Sequence, residues 1–399
     1  MTYFQHNPLY PELTQIDTPF YLYDLNLLNQ TLSNAKEAAD KRGYFIHYAV
    51  KANNNAPILS AIRKAGMGTD CVSGNEVAKS IQAGFLPETV DFAGIGKTDE
   101  EIILALEADI FSLNVESVEE LTVINELAAQ RGIVANISLR INPNIDAHTH
   151  KNITTGLSEN KFGLDLTMLP KLVDTLHLYK NIRVQGLHFH IGSQITDLSV
   201  FAELAAKASE LHAYFQNQGY CFKHINLGGG LGISYDKPKK DAIVDFEAFF
   251  SIFEKNLSLP KDVKVHFELG RSLVAQAGML VTQVVFVKTG VSKKFLILDG
   301  GMTELIRPAL YQAHHKTENI SRNEEVEIYD VVGPICESSD CFGEDIPMSK
   351  SYRGDLVAIY STGAYGQVMS SKYNMRDRAK AYYILDGKIY NEEDIMSSI

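Results

Sequence analysis

The chain is poor in cysteine. Its four thiols, Cys71, Cys221, Cys336 and Cys341, are too few and too scattered for a disulfide framework. Positive charge is also short: 37 Lys and Arg stand against 49 Asp and Glu, a net charge of −12. A nucleic-acid partner wants a basic face, so none is expected. No apolar run approaches the ~20 residues of a membrane-spanning helix, and no membrane partner is expected. The opening MTYFQHNPLYPELTQ has neither a basic region nor an apolar stretch, so no signal peptide is expected. A cytoplasmic enzyme is the resulting expectation. Three familiar site motifs are missing as well. There is no GxGxxG fingerprint. GIGKT (94–98) fails the P-loop spacing because Asp91 stands at the earlier glycine position, and it reads as a βα turn. HExxH is absent, and neither HFH (188–190) nor CESSDC (336–341) has the spacing of a zinc site, so no metal is expected.

What is present is an ordinary globular composition, 45% apolar and 22% charged, in a chain long enough for two domains. Eight short apolar runs alternate with helical patterns over the first 265 or so residues. The runs are FIHYAVKAN (45–53), MGTDCVS (67–73), TVDFAG (89–94), DIFSLNV (109–115), ISLRINP (137–143), QGLHFHIGS (185–193), KHINLGGG (223–230) and VKVHFELGR (263–271). The helical stretches include Ser117 to Arg131 and Val200 to Gln216. Such alternation implies βαβ units, and eight of them fit an α/β fold, a (β/α)8 barrel, over 26–270. A doubly wound open sheet is the alternative. After Arg271 the texture changes to apolar-rich runs, LVTQVVFVKTG, KKFLILDGG, EEVEIYDVVGP and GDLVAIYS, broken by Gly, Lys and Asp turns. This predicts a β-rich domain, a barrel or sandwich, over 271–399. TPFYLYD (18–24) is strand-like too, which assigns 1–25 to the same domain.

In a (β/α)8 barrel, chemistry sits at the carboxyl ends of the strands. Lys51 closes the first run, Asp70 and Ser73 the second, Arg140 and Asn142 the fifth, and His188, His190 and Ser193 the sixth. Gly228, Gly229 and Gly230 follow the seventh, Glu268 and Arg271 the eighth. A lysine with a depressed pKa could serve there as an amine nucleophile; the bland alternative is a surface lysine. Three successive glycines let backbone N–H groups approach an anion, where a plain turn would need only one. Glu268 could pair with a ring nitrogen of pyridoxal phosphate (PLP), and Arg271 could clamp a carboxylate or phosphate, or the two could form a local ion pair. His190 could stack on a ring or be a satisfied core histidine.

The motifs YAVKAN (48–53), DCVSGNE (70–76), GLHFHIGSQ (186–194), NLGGGLG (226–232) and ELGR (268–271) resemble those of the fold-type III PLP-dependent decarboxylases. The segments DGGMTELIRPALYQAHH (299–315), VVGPICESSD (331–340) and GAYGQVMSSKYNMRDR (363–378) narrow the resemblance to the diaminopimelate decarboxylase family. It covers nearly the whole chain. The resemblance implies PLP held covalently by Lys51, with His190 on its ring and Glu268 on its nitrogen. It assigns the phosphate to Ser193, Gly228–Gly230 and the backbone around Gly270 and Arg271, with Asp70 and Tyr365 also at the cofactor. Arg271, Arg307, Tyr311, Glu337 and Tyr365 are implied at the substrate. Cys336 is the implied proton donor, supplied with Glu337 across the interface of a homodimer. Two positions depart from the family pattern: Leu269 replaces the usual Pro after the glutamate, and NMRDR replaces an Arg-Pro pair.

The expected reaction is decarboxylation of meso-2,6-diaminopimelate to L-lysine. A distal amino-acid centre needs a cation for its carboxylate and an anion for its ammonium, and Arg307 and Glu337 offer that pair. Alternatives are a decarboxylase of the same fold acting on carboxynorspermidine or a basic amino acid, and a PLP-binding protein without activity.

Overall fold

The computed structural model describes residues 8–146 and 161–399; residues 1–7 of the opening segment lie outside it. Strand β1 (Phe20–Asp24) comes first. Eight strands follow: β2 (Tyr44–Ala49), β3 (Gly68–Cys71), β4 (Val90–Phe92), β5 (Ser112–Val115), β6 (Ala135–Arg140), β7 (Ile182–His188), β8 (His224–Asn226) and β9 (Lys264–Leu269). Each pairs in parallel with the next, and β9 pairs in parallel with β2. The sheet therefore closes into a barrel, which overturns the open-sheet alternative. Every predicted run contributes one strand.

Both faces of these strands are buried, yet they alternate in chemistry. In β6, Ile137 and Leu139 alternate with Ser138 and Arg140; in β9, Val265, Phe267 and Leu269 alternate with His266 and Glu268. Successive side chains of a strand point to opposite faces. The apolar set packs outward against a ring of helices, among them Leu25–Asp40, Val118–Arg131 and Ser199–Asn217. The polar set fills the barrel and bonds across it: Asn226 on β8 donates to Asp91 on β4 at 2.8 Å. Helix ends follow local chemistry. Thr98 and Glu101 form a reciprocal capping box, Ser117 caps the helix after β5, and Gly132 closes that helix at φ +65°. Lys97 of GIGKT is buried against Gly94 O, Asn114 O and Glu120, so that turn serves packing.

The remaining strands are β10 (Gly278–Thr289), β11 (Lys294–Leu298), β12 (Thr317–Asn319), β13 (Val326–Val332), β14 (Cys341–Ser349), β15 (Leu356–Ile359), β16 (Lys380–Leu385) and β17 (Lys388–Tyr390). With β1 they make a mixed nine-stranded sheet among the described residues. The segment TPFYLYD joins it as β1, antiparallel to β10 and parallel to β16. Strand β10 bulges between Val284 and Phe286 and serves two sets of partners, β1 and β15 up to Gln283 and β11 from Val284 onward. Four strands had no counterpart in the predicted runs: β12, β14, β16 and β17. Pro347 lies within β14, which is tolerable because β14 is an edge strand.

The floor of the barrel is built from imidazoles. His47 Nε2 lies 2.8 Å from His266 Nδ1, and His224 Nε2 lies 2.8 Å from Ser138 Oγ, with Phe111 stacked among the three rings. Burial pushes all three below the ordinary imidazole range, His224 to about 3. An unfolded imidazole takes up a proton below about pH 6.5, while folded His224 does not until about pH 3. Its contribution is therefore complete above pH 6.5 and declines as the pH falls toward 3. About 2 kcal/mol of that contribution should be gone by pH 5. His224→Gln should accordingly lose less stability than the parent between pH 7 and pH 5, measured by urea midpoints at both. Equal losses would show that His224 does not resist protonation.

Candidate active site

The carboxyl ends of the barrel strands face the mixed sheet, and a cavity of about 1160 Å³ lies between them. Its lining includes Lys51, Asp70, His190, Ser193, Gly230, Glu268, Gly270, Arg271, Arg307, Tyr311 and Tyr365. Residues from both parts of the chain thus converge on one space.

Lys51 follows β2 in a short 3-10 turn, Val50–Ala52. Its Nζ donates to Asp70 Oδ2 at 3.0 Å. Burial by itself would lower the lysine, but the charges of Asp70, Tyr365 and Glu268 outweigh it and hold the ammonium well above its ordinary range. The depressed pKa expected of a strand-end lysine is therefore reversed. The reason is the β2–β3 register, which sets Ala49 opposite Asp70 and brings the carboxylate within reach of the amine. Asp70 is itself raised by burial and by Glu268, against the pull of Lys51.

Glu268 is the next-to-last residue of β9 and is buried. Its Oε1 accepts from Asn226 Nδ2 at 2.8 Å, and the same Nδ2 donates to Asp91 Oδ2. Burial lifts Glu268 above the usual carboxylate range, although Lys51 and Arg140 pull it down. Asp91 is raised further, by burial first and then by Glu268 and Asp70. Burial disfavours the carboxylate form of such groups unless a cation, a protonated ring nitrogen for instance, comes to meet it. His188 Nε2 lies 2.7 Å from Glu268 Oε1 but lacks hydrogen-bond alignment, and burial lowers this imidazole to about 3. His190 is likewise pushed well down by burial and by Arg140, and its Nδ1 accepts from Gly229 N at 3.4 Å.

Asn226 Oδ1 accepts from Gly228 N at 2.9 Å, which ties the glycine loop to the carboxylate network. Glycine is required here by space. A Cβ on Gly229 would meet Glu268 O at 1.7 Å, and one on Gly230, where φ is +106°, would meet Gly192 O at 2.6 Å. Beside the loop, Arg271 Nη2 donates to Ser193 Oγ at 2.9 Å, and the Arg271 guanidinium lies 4.8 Å from the centre of the Tyr365 ring.

Some predicted residues stand elsewhere. Ser73 caps the helix Gly74–Gln82 through Glu76 N. Arg140 is spent on Glu116 at 2.6 Å, and Asn142 Oδ1 on Asn144 N. Cys336 and Glu337 are exposed on the loop between β13 and β14, outside the cavity; Glu337 accepts from Tyr373 Oη at 2.9 Å. Within a single chain they do not meet Lys51. Four residues of the site were missed: Asp91, Asn226, Tyr235 and His315. Asp91, Asn226 and His315 lay inside quoted segments, and a polar residue closing an apolar strand was the available signal for Asn226.

Residues 25–275 match the pyridoxal-binding domain of the pyridoxal-dependent decarboxylases. The chain is 52% identical to the diaminopimelate decarboxylase of Bacteroides thetaiotaomicron, over 92% of its own length and 95% of that protein's. The chain belongs to the diaminopimelate decarboxylase family. Another member, from Aquifex aeolicus, is 38% identical over 95% of this chain and 89% of that one. The crystal structure of the Helicobacter pylori diaminopimelate decarboxylase complexed with L-lysine aligns with a TM-score of 0.91 at 40% identity, covering 96% and 95% of the two chains. A lysine/ornithine decarboxylase from Vibrio vulnificus shares the fold, with a TM-score of 0.83 at 22% identity.

The site fits the cofactor of this diaminopimelate decarboxylase family, pyridoxal phosphate. An amine and a buried carboxyl face the same cavity. Among the described residues, Arg271 Nε and Ser272 Oγ are buried without a hydrogen-bond partner, next to a loop that only glycine can form. An anion is what such donors lack. Gly229→Ala must therefore displace the end of β9. It should lower the thermal midpoint and weaken cofactor retention, read from the visible absorbance of the dialysed protein. Unchanged retention would show that the loop tolerates a side chain.

Proposed function

We infer that this chain removes one carboxylate from meso-2,6-diaminopimelate, releasing L-lysine and CO2, the last step of lysine biosynthesis. The observation that carries this reading beyond the family is a pair of buried cations. Arg271 and Arg307 both border the cavity, and among the described residues neither meets a carboxylate. A buried charge without a counter-charge is costly, so a ligand carboxylate is the natural partner. Ornithine and lysine carry no carboxylate at the far end; diaminopimelate does.

Bound pyridoxal phosphate supplies an electron sink for the charge left on the α-carbon when CO2 departs. Every other part is played by the protein. Lys51 holds the cofactor through its amine, with Asp70 beside it. Glu268, as the carboxylate, would keep a proton on the ring nitrogen, and its place near the end of β9, accepting from Asn226, supports the assignment. His190 lies against the ring, and its neutral imidazole adds no charge there. Ser193, Gly228, Gly229, Gly230, Gly270 and the backbone of Arg271 hold the phosphate, and Tyr365 closes the site. Arg271, Arg307 and Tyr311 orient the substrate. Cys336 returns a proton to the reacting carbon, since a thiol is a suitable acid for that step. Glu337 pairs with the distal ammonium. Exposure of Cys336 and Glu337 outside their own cavity supports delivery from a second copy, so the enzyme is a homodimer with shared sites. No helix among the described residues is long and apolar enough to cross a membrane, and we place the enzyme in the cytoplasm. The proposed division is 26–270 for the barrel, with 1–25 and 271–399 forming the second domain.

CO2 release from diaminopimelate, ornithine, lysine and arginine, with PLP added, tests the substrate. Faster turnover of ornithine or lysine would sink the assignment. Lys51→Ala should abolish turnover and the visible band of the bound cofactor. Cys336→Ala should lower kcat by about 100-fold or more while cofactor content stays the same. Mixing the two inactive variants should restore some activity through hybrid dimers. No recovery after confirmed subunit exchange would argue for a site within one chain.

A further inference from the structure

The two uncompensated guanidiniums are held by neutral groups. Arg271 Nη1 donates to Tyr235 Oη at 2.5 Å. Arg307 Cζ lies 4.8 Å from the centre of the same Tyr235 ring, and Arg307 Nη1 lies 2.7 Å from His315 Nε2. His315 Nδ1 is 2.8 Å from Tyr360 O, and its ring stands edge-on to Tyr235 with centroids 4.9 Å apart. Tyr235 borders the cavity, whereas His315 is buried behind it.

Hydrogen-bond inventory decides the protonation of both residues. A guanidinium only donates, so His315 Nε2 must accept; a carbonyl only accepts, so Nδ1 carries the hydrogen. His315 is therefore neutral. Its protonation would set two donors face to face and add a charge beside Arg307. Burial and Arg307 push the imidazole down to about 3, in keeping with that geometry. Tyr235 Oη accepts from Arg271, so its own hydrogen remains to donate toward the cavity. The phenol thus holds one cation at its oxygen and the other against its ring.

We propose that Tyr235 and His315 are positioning residues that set the Arg271 and Arg307 guanidiniums as one clamp for a ligand carboxylate remote from the reacting carbon. The proposal rests on the substrate reading above and names what makes it selective. A ligand without a carboxylate at that remote end leaves both cations unpaired, and its binding does not depend on how they are arranged.

Three variants separate the contributions. Tyr235→Phe removes the hydroxyl and keeps the ring beneath Arg307. His315→Ala removes the acceptor behind Arg307, and His315→Gln restores one. With holoenzyme, Tyr235→Phe and His315→Ala should raise KM for diaminopimelate about tenfold, the effect of one lost hydrogen bond to a charged group, with kcat within about twofold. The dissociation constant of cadaverine, which has both amines and no carboxylate, should stay within about twofold, read from its perturbation of the cofactor absorbance, whereas that of L-lysine, which keeps the remote carboxylate, should rise with the KM of diaminopimelate. His315→Gln should recover most of the loss that His315→Ala causes. An unchanged KM in Tyr235→Phe, or an equal loss for diaminopimelate and cadaverine, overturns the proposal. If His315→Ala fails to fold, Tyr235→Phe decides alone. If the parent enzyme releases no CO2 from diaminopimelate, the substrate reading fails on its own. The clamp is then judged by calorimetric titration of hexanoate and the uncharged hexanamide. A preference for hexanoate that Tyr235→Phe abolishes supports it, and equal affinities in the parent overturn it.

Discussion

The seam between β2 and β9 is the constraint on which the rest of the structure depends. It joins the first and last barrel strands in parallel and sets His47 opposite Glu268. Without that pairing, the alternate residues of eight strands would face two surfaces of an open sheet. With it, they face one interior. That interior is polar, unlike the branched aliphatic layers that usually fill such barrels. It holds imidazoles at the floor, Asp91 and Asn226 in the middle, and Asp70 and Glu268 below the mouth. Buried polar groups must find partners or cost stability, so the network and the closure support each other.

The charges are layered as well. Near Lys51 the interior is acidic, and the carboxyls there are pushed up because burial disfavours several negative charges close together. Near the rim the cavity is cationic, with Arg271 and Arg307 braced by Ser193, Tyr235 and His315. A bound ligand with positive character at its reacting end and negative character elsewhere meets both layers. The glycine loop lies between them, linked to the acidic layer through Asn226 and Gly228. One asparagine thereby couples the carboxyl network to the anion-binding loop.

Much of this was legible from local pattern. The eight barrel strands, the change of texture after Arg271 and the strand character of TPFYLYD all follow from alternation and turn residues, which act over a few positions. Strand β14 was not legible, because Glu344, Asp345 and Pro347 break its apolar pattern; it survives as an edge strand beside β13. The acidity around Lys51 was illegible for another reason. The residue that raises it, Asp70, is a neighbour only through the β2–β3 register. Tyr235 sits just beyond a recognisable glycine motif, and His315 gains meaning only beside Arg307.

The sequence by itself determined the element order, the places of the strand ends and the residue types gathered there. Those are properties of short segments, where side-chain period and backbone preference suffice. Tertiary structure decided which charges meet, and so which way each group titrates and which face the cavity. It also decided that Cys336 and Glu337 stand apart from the Lys51 of their own chain. Electrostatics and burial depend on distance in space, and the distances here are set by the closure of the barrel and the packing of the mixed sheet over its mouth.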